Sequence, residues 1–436
     1  MTTLAQVRLW GSTIGAVALD ERSSTANFEY EEDFASSGIQ LAPLMMPLPG
    51  SHKKVFRFPA LAQQTFHGLP GLLADALPDR FGHALIDAWL ASQGRAPDTF
   101  NAVERLCYVG QRAMGALEFA PVTGPRAKAS QRVDISQLVG LASRVLTQRQ
   151  SFATHLSQDD PDGLRDILRV GTSAGGARAK AVIAWHPESG DVRSGQLDAD
   201  AGYQHWLLKF DGVSANRDKE LADPQGYGQI EYAYYLMARD AGITMSECRL
   251  LEEGDRHHFM TRRFDRTDAG DKLHMQSLCA MAHFDYNAAG AYSYEQALQV
   301  MQQLNLSHAE VEQQFRRMVF NIVARNQDDH TKNIAFLMDR AGQWSLSPAF
   351  DLTFSYNPDG DWTSSHQMSL NGRRDHFTLD DFKACARLAT LKRGRAEAII
   401  EDVSAVVRRW PEYADRATVA ARWRDRIQPL LRVDIL

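Results

Sequence analysis

Arg325-Asn326-Gln327-Asp328-Asp329-His330-Thr331-Lys332-Asn333 leads into two apolar runs, Ile334 to Met338 and Trp344 to Leu346, and then into Ser347-Pro348-Ala349-Phe350-Asp351. The polar stretch between the runs, Asp339 to Gln343, contains Gly342 and reads as the short connection of an antiparallel hairpin. A hairpin returns its second strand to where the first began. Asn333 and Asp351 are therefore expected to meet at one end of the sheet, beside Asp328. Asp328 precedes Asn333 by five positions, the separation at which kinase catalytic loops place a base and a metal-binding amide.

Magnesium is a hard, octahedral cation that takes oxygen ligands and usually shares them with substrate phosphates. The amide oxygen of Asn333 and the carboxylate of Asp351 suit it. Asp328 would then orient an acceptor hydroxyl and take its proton. Phosphoryl transfer asks the protein mainly for positioning and charge neutralisation, so these few groups could supply much of a site. Asp329 offers a second, adjacent carboxylate, but only Asp328 keeps the five-residue separation from Asn333. Because Asp and Asn more commonly serve as turn formers and caps, the weight of this reading depends on the rest of the chain.

The 436 residues suffice for about two or three domains with substantial cores. Apolar content of 44% and charged content of 23% are those of a globular protein, which excludes a disordered chain. No run of about 18 apolar residues occurs. Met1 to Trp10 lacks a basic region followed by an apolar core, so a cytoplasmic protein is expected. Cys107, Cys248, Cys279 and Cys385 are scattered without metal spacing, which predicts buried thiols rather than zinc or disulfides. A net charge of −6 argues against broad adhesion to nucleic acid.

Apolar–polar alternation over residues 4 to 20 around Gly11-Ser12 predicts an opening hairpin. Phe28 to Phe34 and Ala113 to Val122 read as further strands, and Ala84 to Gln93 as a helix. Pro125 to Arg132 reads as a linker, followed by a helix from Ile135 to about Arg149. Leu164 to Trp185 reads as strand, glycine-rich loop and strand, and His205 to Phe210 as a strand. Helices are then expected over Gln229 to Ala241, Tyr294 to Gln303, His308 to Arg325, Leu379 to Ala389, Arg393 to Arg409 and Tyr413 to Leu431. This order predicts an α+β, two-lobed, protein-kinase-like fold: a β-rich subdomain over 1–125, a nucleotide-binding region over 126–260 and a helical lobe over 261–436.

On the nucleotide side, Gly171-Thr-Ser-Ala-Gly-Gly-Ala-Arg-Ala-Lys180 lies between apolar strands, where glycines let backbone amides approach phosphate oxygens. It matches neither the Walker pattern nor the usual kinase glycine loop, and a tight turn is its commoner use. Lys209 lies in the apolar strand His205-Trp-Leu-Leu-Lys-Phe210, and Glu231 opens the next helix, a separation that suits the strand-lysine and helix-glutamate pair of kinases. An exposed edge lysine is the competing explanation. Phe259 to Arg266 could form the strand and hinge that flank an adenine.

With these residues in place, the chain resembles the HipA family of serine/threonine kinase toxins from bacterial type II toxin–antitoxin systems. The resemblance rests on Ser173 to Lys180, Arg263-Phe-Asp-Arg266, Asp328 to Asn333 and Ser347 to Leu352, with Phe56 to Gly82 and Cys107 to Val122 resembling the N-terminal subdomain. It implies that Asp328 is the catalytic base and that Asn333 and Asp351 hold magnesium. It also implies that Gly175, Gly176, Ala177, Arg178, Ala179 and Lys180 wrap the phosphates of ATP, that Lys209, paired with Glu231, contacts phosphate, and that Arg262, Arg263 and Phe264 form the adenine-side hinge. His330, Thr331, Lys332 and Phe350 would complete the pocket. Ser173 would be autophosphorylated, shutting the kinase off; its phosphate would place about 1.5 to 2 negative charges where ATP phosphates bind. Ala179 stands where many relatives carry proline. The implied partners are a HipB-like helix-turn-helix antitoxin, operator DNA reached mainly through it, and an aminoacyl-tRNA synthetase as substrate. A catalytically weak corepressor and a small-molecule phosphotransferase are the alternative functions.

Overall fold

The structure is a computed structural model. It describes residues 3–20, 22–50, 52–124, 133–147, 167, 178–195, 201–213 and 225–435. The chain groups into two compact units, the first comprising 1–216, 260–276 and 337–343, the second 217–259, 277–336 and 344–436. The expected linker at 125–132 and the glycine-rich loop up to residue 177 lie outside the described residues.

In the first unit, β1 (Leu4–Leu9), β2 (Ser12–Asp20), β3 (Thr25–Tyr30), β4 (Val55–Phe56) and β5 (Leu117–Ala120) form a sheet in the order β4-β3-β2-β1-β5. Ala5, Val7 and Leu9 of β1 point into the core, as the alternation predicts. Leu9 pairs with Ser12 across a two-residue turn, Trp10-Gly11, in which both residues have positive φ (49° and 82°). That geometry matches the right-handed twist of the flanking strands. The expected strand over 28–34 stops at Tyr30. Its alternation ends in Glu31-Glu32-Asp33, and the acidic pair Glu32 and Asp33 instead opens a short helix, Glu32–Ala35, at the terminus where negative charge is favoured.

Helices α1 (Arg80–Ser92) and α2 (Ala102–Val109) pack Ile86, Leu90, Phe100 and Tyr108 together. Asp79 caps α1 by accepting from the Gly82 backbone N–H at 2.7 Å, and Asn101 with Glu104 forms a capping box on α2. Helix α3 (Ile135–Thr147) follows. Strands β6 (Lys180–Trp185), β7 (Val192–Ser194) and β8 (Gln204–Lys209) are antiparallel in the order β7-β6-β8. All six β6 residues are buried.

The second unit is mainly helical. Its helix α4 (Tyr227–Asp240) precedes β9 (Cys248–Glu253) and β10 (Arg256–Arg262), which carries the chain into the first unit; β11 (His274–Ser277) returns it. Gly228 of α4 lies so close to β10 that a Cβ there would sit 2.3 Å from the His257 carbonyl oxygen, so the helix can approach only because that side chain is missing. Next come α5 (Tyr294–Gln303), α6 (His308–Val323), the hairpin β12 (Ala335–Met338) and β13 (Trp344–Leu346), of which residues 337–343 belong to the first unit, and then α7 (Leu379–Leu388) and α8 (Arg395–Arg408). Tyr234 of α4 packs edge-on against Phe320 of α6 and Trp410, with ring centroids 6.0 and 5.6 Å apart.

The single helix expected from Tyr413 to Leu431 is instead α9 (Trp410–Arg416), α10 (Ala421–Ile427) and a 3-10 turn at Gln428–Leu430. The break falls at the β-branched pair Thr418-Val419. Thr418 adopts φ 55° and accepts two hydrogen bonds from the Gln229 side-chain amide. Among the described residues, no helix is long and apolar enough to cross a membrane. All four cysteines are buried and free.

Candidate active site

Helix α6 ends because Arg325 turns left-handed, φ 57°, letting the Asn326 N–H reach back to the Asn321 carbonyl at 2.9 Å. The chain then runs extended beside the segment that follows Asp351. Gln327 N–H donates to Ser355 O and Ser355 N–H to Arg325 O, both at 3.0 Å. The Asn326 side-chain amide donates to Asn321 Oδ1 at 2.9 Å and to the Asp351 carbonyl at 3.4 Å. A one-turn 3-10 helix, Thr331–Asn333, brings Asn333 back to the start of the loop. There its Nδ2 donates to the Asp328 carbonyl at 2.8 Å.

The hairpin forms as its turn chemistry predicts. Asp339 Oδ1 accepts from the N–H groups of Ala341 and Gln343, each at 2.9 Å, and Gly342 takes φ 81°. At the far side of the return strand Ser347 N–H donates to Ala335 O at 3.0 Å, Arg317 Nη2 donates to Ser347 O at 2.7 Å, and Asp351 is reached in a left-handed conformation, φ 53°. Asp328, Asn333 and Asp351 therefore come together in the second unit.

The Asp328 carboxyl is recessed at the base of the loop, although 42% of its side-chain surface stays open. Its Oδ1 accepts from the Trp362 indole N–H at 2.7 Å and lies 3.7 Å from His330 Nε2. Burial raises its pKa above the usual carboxylate range; His330 and the Trp362 bond oppose the rise, and Asp351 and Asp329 add to it. The neighbouring carboxylate is differently placed. Asp329 is buried and saturated: Oδ2 accepts from Tyr294 Oη at 2.6 Å and faces His366 Nδ1 at 2.7 Å, while Oδ1 accepts from the Gln367 N–H at 2.7 Å. Burial works to raise its pKa, but His366 and these hydrogen bonds outweigh it and lower the value. Of the two carboxylates, Asp328 is the one with open side-chain surface.

Phe284 and Tyr292 stack at 4.4 Å, Thr331 Oγ1 donates to Phe284 O at 2.9 Å, and Tyr286 lies 5.4 Å from the His330 ring. Lys332 Nζ sits 5.1 Å over Tyr286. Phe350 is half-buried beside Asp351.

Other expected site residues lie in the first unit. Lys180 and Lys209 are cross-strand partners, so their side chains share one face of the β6–β8 pair. Lys180 is 2% exposed, with its ammonium 3.5 Å from Asp79. Lys209 is 9% exposed rather than an exposed edge residue: β6 flanks its strand on one side, and on the other Arg263 N–H donates to His205 O at 2.9 Å. Ala179 is buried and Arg178 half-buried. Arg262 pairs with Asp268 at the surface, at 2.6 Å, and Phe264 is half-buried. Arg263 forms a buried two-pronged ion pair with Asp265, which also accepts from Arg266 and the Gly115 N–H. Glu231 is buried on α4 in the second unit. Ser173, Gly175, Gly176 and Ala177 lie outside the described residues.

Trp362, His366 and Tyr294 escape sequence reasoning, since no spacing links them to the loop. Asp79 carries a legible signal, following Pro78 at the head of a helical pattern, the position of an N-cap.

The HipA N-terminal domain matches residues 5–120 and the HipA-like C-terminal domain matches residues 172–410. The chain belongs to the HipA family. The HipA of Shewanella oneidensis MR-1, solved with HipB and operator DNA, matches 99% of this chain and 96% of its own at TM-score 0.66 and 16% identity. The fold is thus the α+β HipA fold, kinase-like with a β-rich N-terminal part. A "Putative kinase" of Haemophilus influenzae is 26% identical over 159 residues, covering 33% of this HipA-family chain. The match spans 46% of that curated relative's length. The Helicobacter pylori proinflammatory kinase CtkA matches 60% of this chain and 91% of its own at TM-score 0.36 and 10% identity.

Proposed function

We propose that this HipA-family protein is an ATP- and magnesium-dependent serine/threonine protein kinase toxin. The observation that carries the reading is the convergence of Asp328, Asn333 and Asp351, with Asp328 held as a weakened acid. Trp362 occupies Oδ1 of Asp328, so Oδ2 is the oxygen that orients the acceptor hydroxyl. As the bond from the γ-phosphorus to the bridging oxygen of ADP breaks and the new bond to the acceptor oxygen forms, the hydroxyl proton passes to Oδ2. The raised pKa of Asp328 suits it to hold that proton.

Asn333 commits its amide N–H to the Asp328 carbonyl, which turns its Oδ1 the other way, and Asp351 supplies a carboxylate. One amide oxygen and one carboxylate, completed by phosphate oxygens, fit magnesium. When bound, the ion would neutralise charge on the transferring phosphoryl group. Lys209 and Lys180, side by side on one sheet face, suit an anionic ligand on the nucleotide side, with Arg178 and Gly175 to Ala179 in the phosphate loop and Arg262 to Phe264 at the adenine; Glu231 is the acidic residue that the same reading assigns to nucleotide binding. His330, Thr331, Lys332 and Phe350 line the pocket.

The same reading assigns Ser173 as the autophosphorylation site, an aminoacyl-tRNA synthetase as substrate and a HipB-like antitoxin as the partner that reaches operator DNA. The fold shared with a HipA solved with HipB and operator DNA supports the antitoxin part of that reading. The test is intact mass and phosphosite mapping after incubation with ATP and magnesium, alongside Asp328→Asn. We expect a phosphate on Ser173 in the wild type and none in the variant. Unmodified protein that binds ATP yet gains no phosphate would overturn the autoregulation.

A further inference from the structure

The last few residues of the chain are built into the back of the catalytic loop. Arg432 N–H donates to Val323 O at 2.8 Å, at the end of α6. Its guanidinium meets four groups: Nη1 lies 2.9 Å from His366 Nε2 and donates to Ile322 O at 3.5 Å, and Nη2 donates to Gln327 Oε1 at 3.4 Å and to Asp375. From the loop, Arg325 Nε donates to Leu430 O at 2.8 Å, and Arg325 Nη1 donates to Gln327 Oε1 at 3.0 Å. The tail is anchored beyond this point by Arg408, whose Nη2 donates to Val433 O and Asp434 Oδ1, both at 3.0 Å.

Hydrogen-bond accounting through His366 gives these contacts a direction. A guanidinium only donates, so His366 Nε2 must accept from Arg432. The other ring nitrogen, Nδ1, then carries the hydrogen and points it at Asp329 Oδ2, 2.7 Å away. Asp329 is thereby fixed between His366, Tyr294 and Gln367, and its backbone carries the adjacent Asp328. Tyr294 Oη in turn accepts from Asn321 Nδ2 at 3.1 Å, and Asn321 Oδ1 holds the Asn326 amide that reaches the Asp351 carbonyl. The line Arg432, His366, Asp329 thus ends one residue from the base, and its branch ends at the backbone of the second metal-side residue. All of it lies in the second unit.

We propose that Arg432 is a positioning residue: through the Nδ1–H tautomer of His366 it fixes the loop that carries Asp328, so the C-terminal segment 428–434 is part of the catalytic apparatus although it touches no substrate. The kinetic consequence rests on the kinase reading; the hold on the loop does not. Arg432→Met removes the donor to Nε2 but keeps an apolar stem. Arg432→Lys keeps a donor. His366→Asn places an amide N–H near Nδ1, whereas His366→Leu places nothing there.

The experiment pairs two readouts on these four full-length variants. One is autophosphorylation kinetics against ATP concentration; the other is amide hydrogen exchange over residues 326–333, with Arg422→Ala as a surface control. We expect Arg432→Met and His366→Leu to lower kcat by about tenfold or more with little change in KM for ATP, and to speed exchange across the loop. Arg432→Lys and His366→Asn should recover most of both. If the wild type transfers no phosphate, the kinase reading fails on the first readout alone, and faster loop exchange in Arg432→Met still supports the hold. Unchanged exchange in Arg432→Met and His366→Leu, or no recovery in the conservative pair, overturns the proposal.

Discussion

At the scale of single residues, two adjacent carboxylates differ because their surroundings differ. Asp329 has every oxygen engaged in the interior, and Asp328 has one oxygen held by Trp362 and one left for chemistry. The Trp362 bond both orients the carboxylate and draws charge from it, so its loss should act on the chemical step. A hydrogen bond to a charged group contributes about 1.5–3 kcal/mol, and about 1.4 kcal/mol corresponds to tenfold in rate. Trp362→Phe should lower kcat by roughly tenfold or more and leave KM for ATP nearly unchanged, read from steady-state phosphorylation. A rise in KM with kcat intact would show instead that Trp362 serves nucleotide binding. The closeness of Asn333 to Asp328 was legible from their five-residue spacing, because a tight loop fixes short-range geometry. Trp362 and His366 were not legible: they approach across 34 and 37 positions, by a path set only once α6 and the following loops have packed.

At the scale of elements, the hairpin behind Asn333 and Asp351 was readable because turn residues and apolar runs agree. Its attachment was not. Glu310 caps α6, accepting from Ser307 N–H at 2.8 Å through Oε2, and its Oε1 accepts from Leu346 N–H at 2.8 Å on β13. One side chain thus starts a helix and pins a strand. Ser307→Ala should cost about 1 kcal/mol, the usual worth of an N-cap. Glu310→Ala should cost distinctly more in a urea titration, because Leu346 loses its acceptor as well. Equal costs would mean that the strand contact contributes nothing. The helix expected over 413–431 failed for a related reason: periodicity continues through Thr418, but Gln229 holds that residue out of helical geometry, a contact no local pattern announces.

At the scale of the whole molecule, three histidines tie stability to acidity. Burial pushes the pKa of His205 and His283 down to about 4 and that of His274 to about 3, with the Arg263 and Arg266 charges adding to the effect at His205. An unfolded chain protonates them near the usual value of about 6.5. Between about pH 6.5 and 4 the unfolded state therefore binds more protons, and stability falls as the pH falls. The urea midpoint should drop from about pH 7.5 to about pH 5, and less steeply in His274→Gln; a midpoint level across that range would refute the account. Tryptophan placement sets how such a titration can be followed. Trp10, Trp89, Trp185 and Trp206 belong to the first unit and Trp344, Trp362, Trp410 and Trp423 to the second, so bulk emission reports both halves at once. Trp362 is the tryptophan whose indole is bonded to Asp328. The difference in emission between wild type and Trp362→Phe would isolate that one ring, giving the protein a built-in optical probe of arrivals at Asp328, with no label attached.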